Sequence, residues 1–218
     1  MIDFSALKSV LYAAVLSDVL DSMGRPNRTM RPFVRPLDED AVLFGRARTG
    51  LFVSGYPVED GGNPYDVEIE LIDALEPDDV PVLACGGPTE LLVPWGELLT
   101  TAAIQRGAAG AVTDGLVRDV RAIRRLGFPV FHGGMRPLDS CGRGKMVLRD
   151  VAVECAGLEV CSGDLVFADV DGVVVIPDAV ARETIDRALE KIEGENLTRD
   201  EIRAGSLLGE VYQRHGIL

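Results

Sequence analysis

The sequence predicts an α/β fold, a single domain with a parallel βαβαβ core and an additional β layer. Three observations predict it. Between Val80 and His132, three short apolar runs alternate with two stretches of helical periodicity, the pattern of parallel strands joined by right-handed crossovers. After Gly144 the chain switches to closely spaced β-type runs before a final charged helix. Its 218 residues, 47% hydrophobic and 26% charged, suit a globular domain, and no linker-like stretch divides them.

The elements follow in order. A first helix is expected over residues 5–23, because Leu7, Val10, Leu11, Ala14 and Val15 share a helical face and Gly24 supplies a C-terminal stop. Residues 24–36 read as loop, broken by Pro26, Asn27, Pro32 and Pro36. A β stretch over 41–53 leads into a second Gly- and Pro-rich loop, 54–64, placed to lie over a site. Residues 66–75 form a short amphipathic helix. The alternating core is strand 80–85, helix 96–106, strand 109–113, helix 120–126 and strand 129–132. Strands are then expected over 145–148, 151–159 and 165–176, the last folded on itself at Asp169-Val170-Asp171-Gly172. A charged helix from Pro177 to about Asn196 follows, with more helix after Thr198.

The charge balance narrows the function. Lys and Arg total 22 against 35 Asp and Glu, a net charge of −13. That field repels nucleic-acid phosphates and an anionic membrane surface, so neither is an expected partner. The longest apolar stretches, such as Gly172-Val173-Val174-Val175-Ile176, are strand-sized and far short of the ~20 residues that cross a bilayer. Met1-Ile2-Asp3-Phe4-Ser5 has no basic region or apolar core of a signal peptide, and a cytoplasmic location is expected. Cys85, Cys141, Cys155 and Cys161 lack C-x-x-C spacing and read as free thiols. With His132 and His215 far apart, any metal should be a hard ion held by oxygen.

Several motif readings fail. Cys141-Gly142-Arg143-Gly144-Lys145-Met146 lacks the first glycine of a phosphate loop and has Met146 where a hydroxyl is needed. No G-x-G-x-x-G follows a strand. His132, at a strand end, reads as structural before catalytic.

Two loops carry the candidate chemistry: Pro94-Trp95-Gly96-Glu97-Leu98-Leu99 at a helix start, and Thr113-Asp114-Gly115-Leu116-Val117-Arg118-Asp119 after a strand. Both fall at carboxyl ends of consecutive parallel strands, where open α/β sheets place ligands. The free amides of Glu97, Leu98 and Leu99 attract an anion, Gly96 permits its close approach, and Arg118 offers a carboxylate a bidentate fork. Asp119 can bind a hard divalent cation. Together they would hold a small 2-oxo acid, its carboxylate on the amides and Arg118 and its 2-oxo oxygen on the metal. That suits retro-aldol cleavage or decarboxylation through a stabilised enolate. The competing reading is structural: an Arg-Asp salt bridge at a helix entry, with Asp119 as N-cap of the 120–126 helix.

At these residues the chain resembles the family of 4-hydroxy-4-methyl-2-oxoglutarate aldolases and regulator of ribonuclease activity A, whose members are often labelled demethylmenaquinone methyltransferase-like. The resemblance lies in Trp95-Gly96-Glu97-Leu98, in the run from Ala109 to Asp119, and in Gly127-Phe128-Pro129-Val130-Phe131. Weaker agreement extends to Ser17–Gly24 and Gly163–Pro177. It implies a swivelling β/β/α-type domain, assembled as a trimer or hexamer with sites between subunits. It also implies catalytic roles for Glu97, Arg118 and Asp119. Arg118 would bind the pyruvyl carboxylate, Asp119 would ligate Mg²⁺ (or Mn²⁺), Glu97 would touch metal-bound water, and the Leu98 and Leu99 amides would hold pyruvate. A neighbour's C-terminal helix would add Glu193 or Glu195. The chain departs from the family in having Glu97 where aldolases usually have Asp, and Ala122 where many have an acidic residue. The function implied is a divalent-metal-dependent lyase of small 2-oxo acids. The alternative is a non-catalytic acidic regulator that binds and inhibits a ribonuclease or another basic partner.

Overall fold

The computed structural model describes residues 2–55 and 62–217. In chain order the elements are α1 (Phe4–Lys8), α2 (Ala13–Ser22), β1 (Arg35–Pro36), β2 (Leu43–Ser54), α3 (Asp66–Asp73), β3 (Asp79–Ala84), α4 (Glu97–Arg106), β4 (Ala111–Thr113), α5 (Val120–Leu126) and β5 (Val130–His132). Then come β6 (Gly144–Arg149), β7 (Val153–Cys155), β8 (Leu158–Val160), β9 (Leu165–Asp169), β10 (Gly172–Ile176), a 3₁₀ turn (Asp178–Val180), α6 (Ala181–Arg203) and α7 (Leu208–His215).

Strands β2, β3, β4 and β5 are parallel neighbours, so the predicted parallel core is one strand wider than the βαβαβ run. The long strand β2 organises the rest. Its other edge pairs antiparallel with β9 over Leu43–Arg46 and with β6 over Gly50–Ser54. Strand β10 completes the hairpin with β9, turning at the Asp169–Gly172 segment as expected. Residues 29–36 nearly close the sheet: Thr29 bridges Val174 on one edge, and β1 pairs with β5 on the other. The β7–β8 hairpin forms a separate two-stranded sheet, the additional β layer.

Period-2 alternation assigns the strand residues to layers. Val166, Ala168, Val173 and Val175 face an inner cluster shared with Val80, Val82 and the β7–β8 hairpin. Leu165, Phe167, Val174 and Ile176 face outward and are covered by α1, α2 and α6. On the other flank α3, α4 and α5 cover Leu83, Ala111 and Val130. Strands buried on both faces read as unbroken apolar runs, which is why they stood out in the sequence.

Three expectations are corrected. The 5–23 helix is two helices. Ser9 caps α1 through its hydroxyl on the Ala6 carbonyl, Tyr12 is extended, and the Ala13 amide starts α2 on the Asp169 carboxylate at 2.8 Å. A tertiary acceptor thus starts a second helix, and Val10 and Ala14 end on the surface. The 151–159 strand is a hairpin, because Ala156 and Gly157 turn at φ +50° and +78°. The C-terminal helix runs unbroken through Thr198 to Arg203. Among the described residues, no helix is long and apolar enough to cross a membrane.

Candidate active site

The carboxyl ends of β3 and β4 lead into loops that run side by side. Trp95 bridges Val117, and Val117 bridges Met135. The Arg118 amide donates to the Trp95 carbonyl (3.1 Å), and the Val117 amide donates to the Gly134 carbonyl (2.9 Å). The Trp95–Val117 bridge and the Arg118–Trp95 bond bring the two sequence-predicted loops into contact, and Val117 ties them to the segment after β5. The Trp95 indole stacks on Phe128 with centroids 6.2 Å apart, and its Nε1 donates to Thr100 Oγ1 at 2.8 Å. Thr100 Oγ1 donates in turn to the Gly96 carbonyl at 2.9 Å, fixing the first turn of α4.

Gly96 precedes α4 in an extended conformation. A Cβ there would stand 2.9 Å from Asp119 Oδ2 and 3.3 Å from Arg118 Cγ and Nε. A side chain at this position would press on the Asp119 carboxylate and the Arg118 side chain. The Thr100 amide bonds the Gly96 carbonyl, and the Leu98 and Leu99 amides precede it at the open helix end. Leu98 is 76% exposed at the rim of this helix start.

Asp119 is the N-cap residue of α5 in the left-handed region, at φ +58°, yet its side chain makes no capping bond there. Oδ2 instead accepts the Glu97 amide of α4 at 3.3 Å and lies 3.6 Å from Arg118 Nε. The simple capping reading of Asp119 is thereby replaced by a link between two helix starts. Arg118 reaches the opposite wall, where Nη1 donates to Asp139 Oδ2 (3.0 Å) and the Leu138 carbonyl (3.3 Å). The Glu97 carboxylate accepts the Thr101 hydroxyl at 2.9 Å, along its own helix.

Around these groups lies a cleft of about 380 Å³. Gly96, Glu97, Leu98, Leu99, Arg118 and Asp119 all line it. So do Tyr65, Glu68 and Ile69 of the α3 region, and Asp139 and Ser140, which sequence reasoning missed. Glu68 and Asp139 sit in segments without motif spacing, so only the fold brings them here. Gly133 and Gly134, beside the β5 end, do not line it: the Gly133 amide donates to the Gly115 carbonyl and the Gly134 amide to His132 Nδ1. In the 54–64 loop, residues 56–61 lie outside the described residues.

The electrostatics are uneven. Burial opposes ionisation of Asp139, but the Cys141 amide, the Tyr65 hydroxyl and Arg118 together hold its carboxyl below the ordinary range. Burial and the bond to Asp139 push Tyr65 up to about 12, so it remains a donor. Glu68, 7% exposed, is pushed up to about 7 by burial and by Asp139, against the pull of Arg118. His132 is 5% exposed, and burial lowers it to about 4, so it is a neutral structural imidazole outside the cleft.

Glu68 and His132 oppose each other in pH-dependent stability. Between pH 4.5 and 6.5 the unfolded chain binds more protons at His132, so its contribution rises with pH. Over the same window the folded chain binds more at Glu68, so that contribution falls with pH. Glu68→Gln removes the second slope alone. Stability of the variant should gain about 2 kcal/mol relative to wild type from pH 4.5 to 6.5. Urea denaturation across that range measures the difference, and parallel profiles would refute it.

The cleft offers a hard divalent ion one carboxylate with an open oxygen at the α5 start. Asp119 is a half-exposed carboxylate with Oδ2 engaged, leaving Oδ1 for a ligand. Among the described residues, no group of three His, Cys, Asp or Glu could hold a metal ion. One free carboxylate oxygen is a fit for Mg²⁺, which keeps several waters and takes one or two carboxylates.

The sequence profile of the family described as "RraA-like: Aldolase/RraA" matches residues 13–175. A "Putative 4-hydroxy-4-methyl-2-oxoglutarate aldolase" of Halalkalibacterium halodurans is 30% identical, over 87% of this chain and 84% of that protein. Protein DlpA of Legionella pneumophila is 29% identical over 92% of this chain, which spans only 32% of DlpA's length. Among solved structures, Streptomyces coelicolor RraAS2, titled an unusual member of the RNase ES inhibitor RraA protein family, superposes with a TM-score of 0.79. It is 29% identical, with 90% of this chain and 94% of that one covered.

Proposed function

The chain belongs to the RraA-like (Aldolase/RraA) family, and from that premise we propose that it is a divalent-metal-dependent lyase that cleaves a C–C bond in a small 2-oxo acid to give pyruvate. The observation that carries this reading is the convergence, in one cleft, of the open amides of α4, the Arg118 guanidinium and the Asp119 carboxylate. The amides and Arg118 bind the substrate carboxylate, with Asp139 holding the guanidinium from the opposite wall. Asp119 holds Mg²⁺ or Mn²⁺, which when bound supplies Lewis-acid polarisation of a 2-oxo oxygen. The Trp95–Thr100–Gly96 bonds keep the α4 amides aimed at the cleft.

The proposal extends to assembly as a trimer or hexamer, with a neighbour's C-terminal helix completing each site. Glu195 is engaged by Lys191, Arg199 and the Tyr12 hydroxyl. Glu193 is exposed and is the candidate for reaching a neighbour.

The test is pyruvate release from a panel of 2-oxo acids, including 4-hydroxy-4-methyl-2-oxoglutarate and oxaloacetate. Activity is expected with Mg²⁺ or Mn²⁺ and should vanish with EDTA and return on metal addition. No pyruvate from any of them would overturn the proposal.

A second reading, a regulator of a basic partner, is favoured by the net charge of −13 and the likeness to RraAS2. It requires capture of a ribonuclease that is lost near 0.5 M salt, where the Debye length is about 4 Å.

A further inference from the structure

We propose that Glu68 is the proton-carrying catalytic residue of the cleft, taking the proton of a 4-hydroxy-2-oxo acid's C4 hydroxyl and returning it to C3 of the pyruvate enolate. This rests on the lyase reading above. The step balances: the C4 O–H bond breaks, its electrons form the C4 carbonyl, and the C3–C4 pair becomes the enolate. The same proton then closes the C3–H bond, regenerating the carboxylate. No oxidant or co-reactant is needed. In decarboxylation Glu68 supplies only the second step, recharged from water.

Position argues for it first. Glu68 is a buried carboxyl on α3 that lines the same cleft as the α4 amides, Arg118 and Asp119. Commitment argues second. Asp139 is saturated by the Tyr65 hydroxyl, the Cys141 amide and Arg118. Glu97 accepts Thr101, and Asp119 accepts the Glu97 amide. The Tyr65 hydroxyl donates to Asp139. No hydrogen bond from the described residues contributes to the environment of the Glu68 carboxyl. The carboxyl is therefore not committed to any neighbouring group.

The surroundings set the proton's affinity. Asp139 repels the ionised form from one side and Arg118 attracts it from the other. Buried Cys85 is driven further toward its neutral thiol by Asp114 and Glu68. Lys145, on β6, is drawn off by Asp66 at 2.9 Å. The balance leaves Glu68 at about 7, so near neutral pH both protonation states are populated.

The experiment compares wild type, Glu68→Gln and Glu68→Asp. It measures cleavage kinetics, pyruvate binding by calorimetry, and exchange of pyruvate methyl protons in D₂O by NMR. Expected for Glu68→Gln is a loss on the order of 10²–10⁴-fold in kcat and in exchange, with KM and pyruvate affinity nearly unchanged. Glu68→Asp should recover part of both, and the wild-type inflection near pH 7 should be absent from the Gln profile. Active wild type with unaltered Glu68→Gln rates overturns this assignment alone. Loss of pyruvate binding in a variant with a wild-type melting curve also overturns it, since the role would then be structural. Wild type inactive in both assays overturns the lyase reading and this one with it. Should the Gln variant fail to fold, the Asp variant decides: rates equal to wild type refute the assignment.

Discussion

Replacing Arg118 with Ala is expected to lower kcat/KM for pyruvate release by about 10²–10³-fold, the equivalent of losing a charge-assisted pair of hydrogen bonds in a partly desolvated cleft. The guanidinium does two things that no neighbour can replace. In the proposed reaction it binds the substrate carboxylate beside the α4 amides, and its Nη1 anchors Asp139 at 3.0 Å. Without it, Asp139 loses its cation, and the attraction that holds Glu68 down is lost while the repulsion remains. The pH optimum should therefore shift upward as the rate falls. Lysine should not restore activity, because one ammonium cannot bridge Asp139 and a carboxylate as a planar fork can. Folding should be nearly unaffected, since the side chain is 37% exposed and such pairs contribute about 0–1 kcal/mol. Initial rates, pH profiles and melting curves of Arg118→Ala and Arg118→Lys check all three points. A rate within threefold of wild type would remove Arg118 from the site.

What the sequence revealed divides along the range of the forces involved. The parallel strands were readable because burial on both faces leaves continuous apolar runs such as Val80–Cys85 and Gly172–Ile176. The Trp95–Leu99 and Thr113–Asp119 loops were readable because each combines glycine with a strand end or a helix start. The break between α1 and α2 was not, because the acceptor that starts α2 is Asp169, 156 residues away. The turn at Ala156 was hidden by an alanine at positive φ, held by its amide on a distant carboxylate. At the site, Asp119 appeared as a local cap, but its left-handed backbone turns the carboxylate to another helix. Glu68 and Asp139 carry no spacing signal. Glu68 occupies what looks like an ordinary acidic face of a short helix, and only the packing of α3 against the loops makes it a buried carboxyl.

Asp114→Ala is expected to cost about 3–5 kcal/mol of folding stability, near the upper end for a single substitution. Asp114 is 1% exposed, and its carboxylate accepts three backbone amides: Cys85 at 2.6 Å, Gly87 at 2.9 Å and Ala156 at 3.1 Å. One side chain thus ties the loop after β3, the loop after β4 and the β7–β8 hairpin. Truncation leaves three donors in a dry interior, each costing about 1–3 kcal/mol where water cannot reach it. The backbone has little room to adjust, because a Cβ on Gly87 would fall 2.2 Å from the Asp114 carbonyl. Asn should recover roughly half the loss. Either orientation of its amide sets an NH₂ against at least one N–H donor, yet its oxygen still serves the others. In a chain of this size the Ala variant should melt roughly 10 °C lower, read by urea and thermal denaturation, and a loss below about 1 kcal/mol would contradict the account. The damage should extend to chemistry at temperatures where the variant remains folded. Asp114 lies four residues before Arg118, on the loop whose Leu116 and Arg118 amides dock on the Leu92 and Trp95 carbonyls. When that loop loosens, the guanidinium no longer stands against Gly96, and KM should rise before the fold is lost.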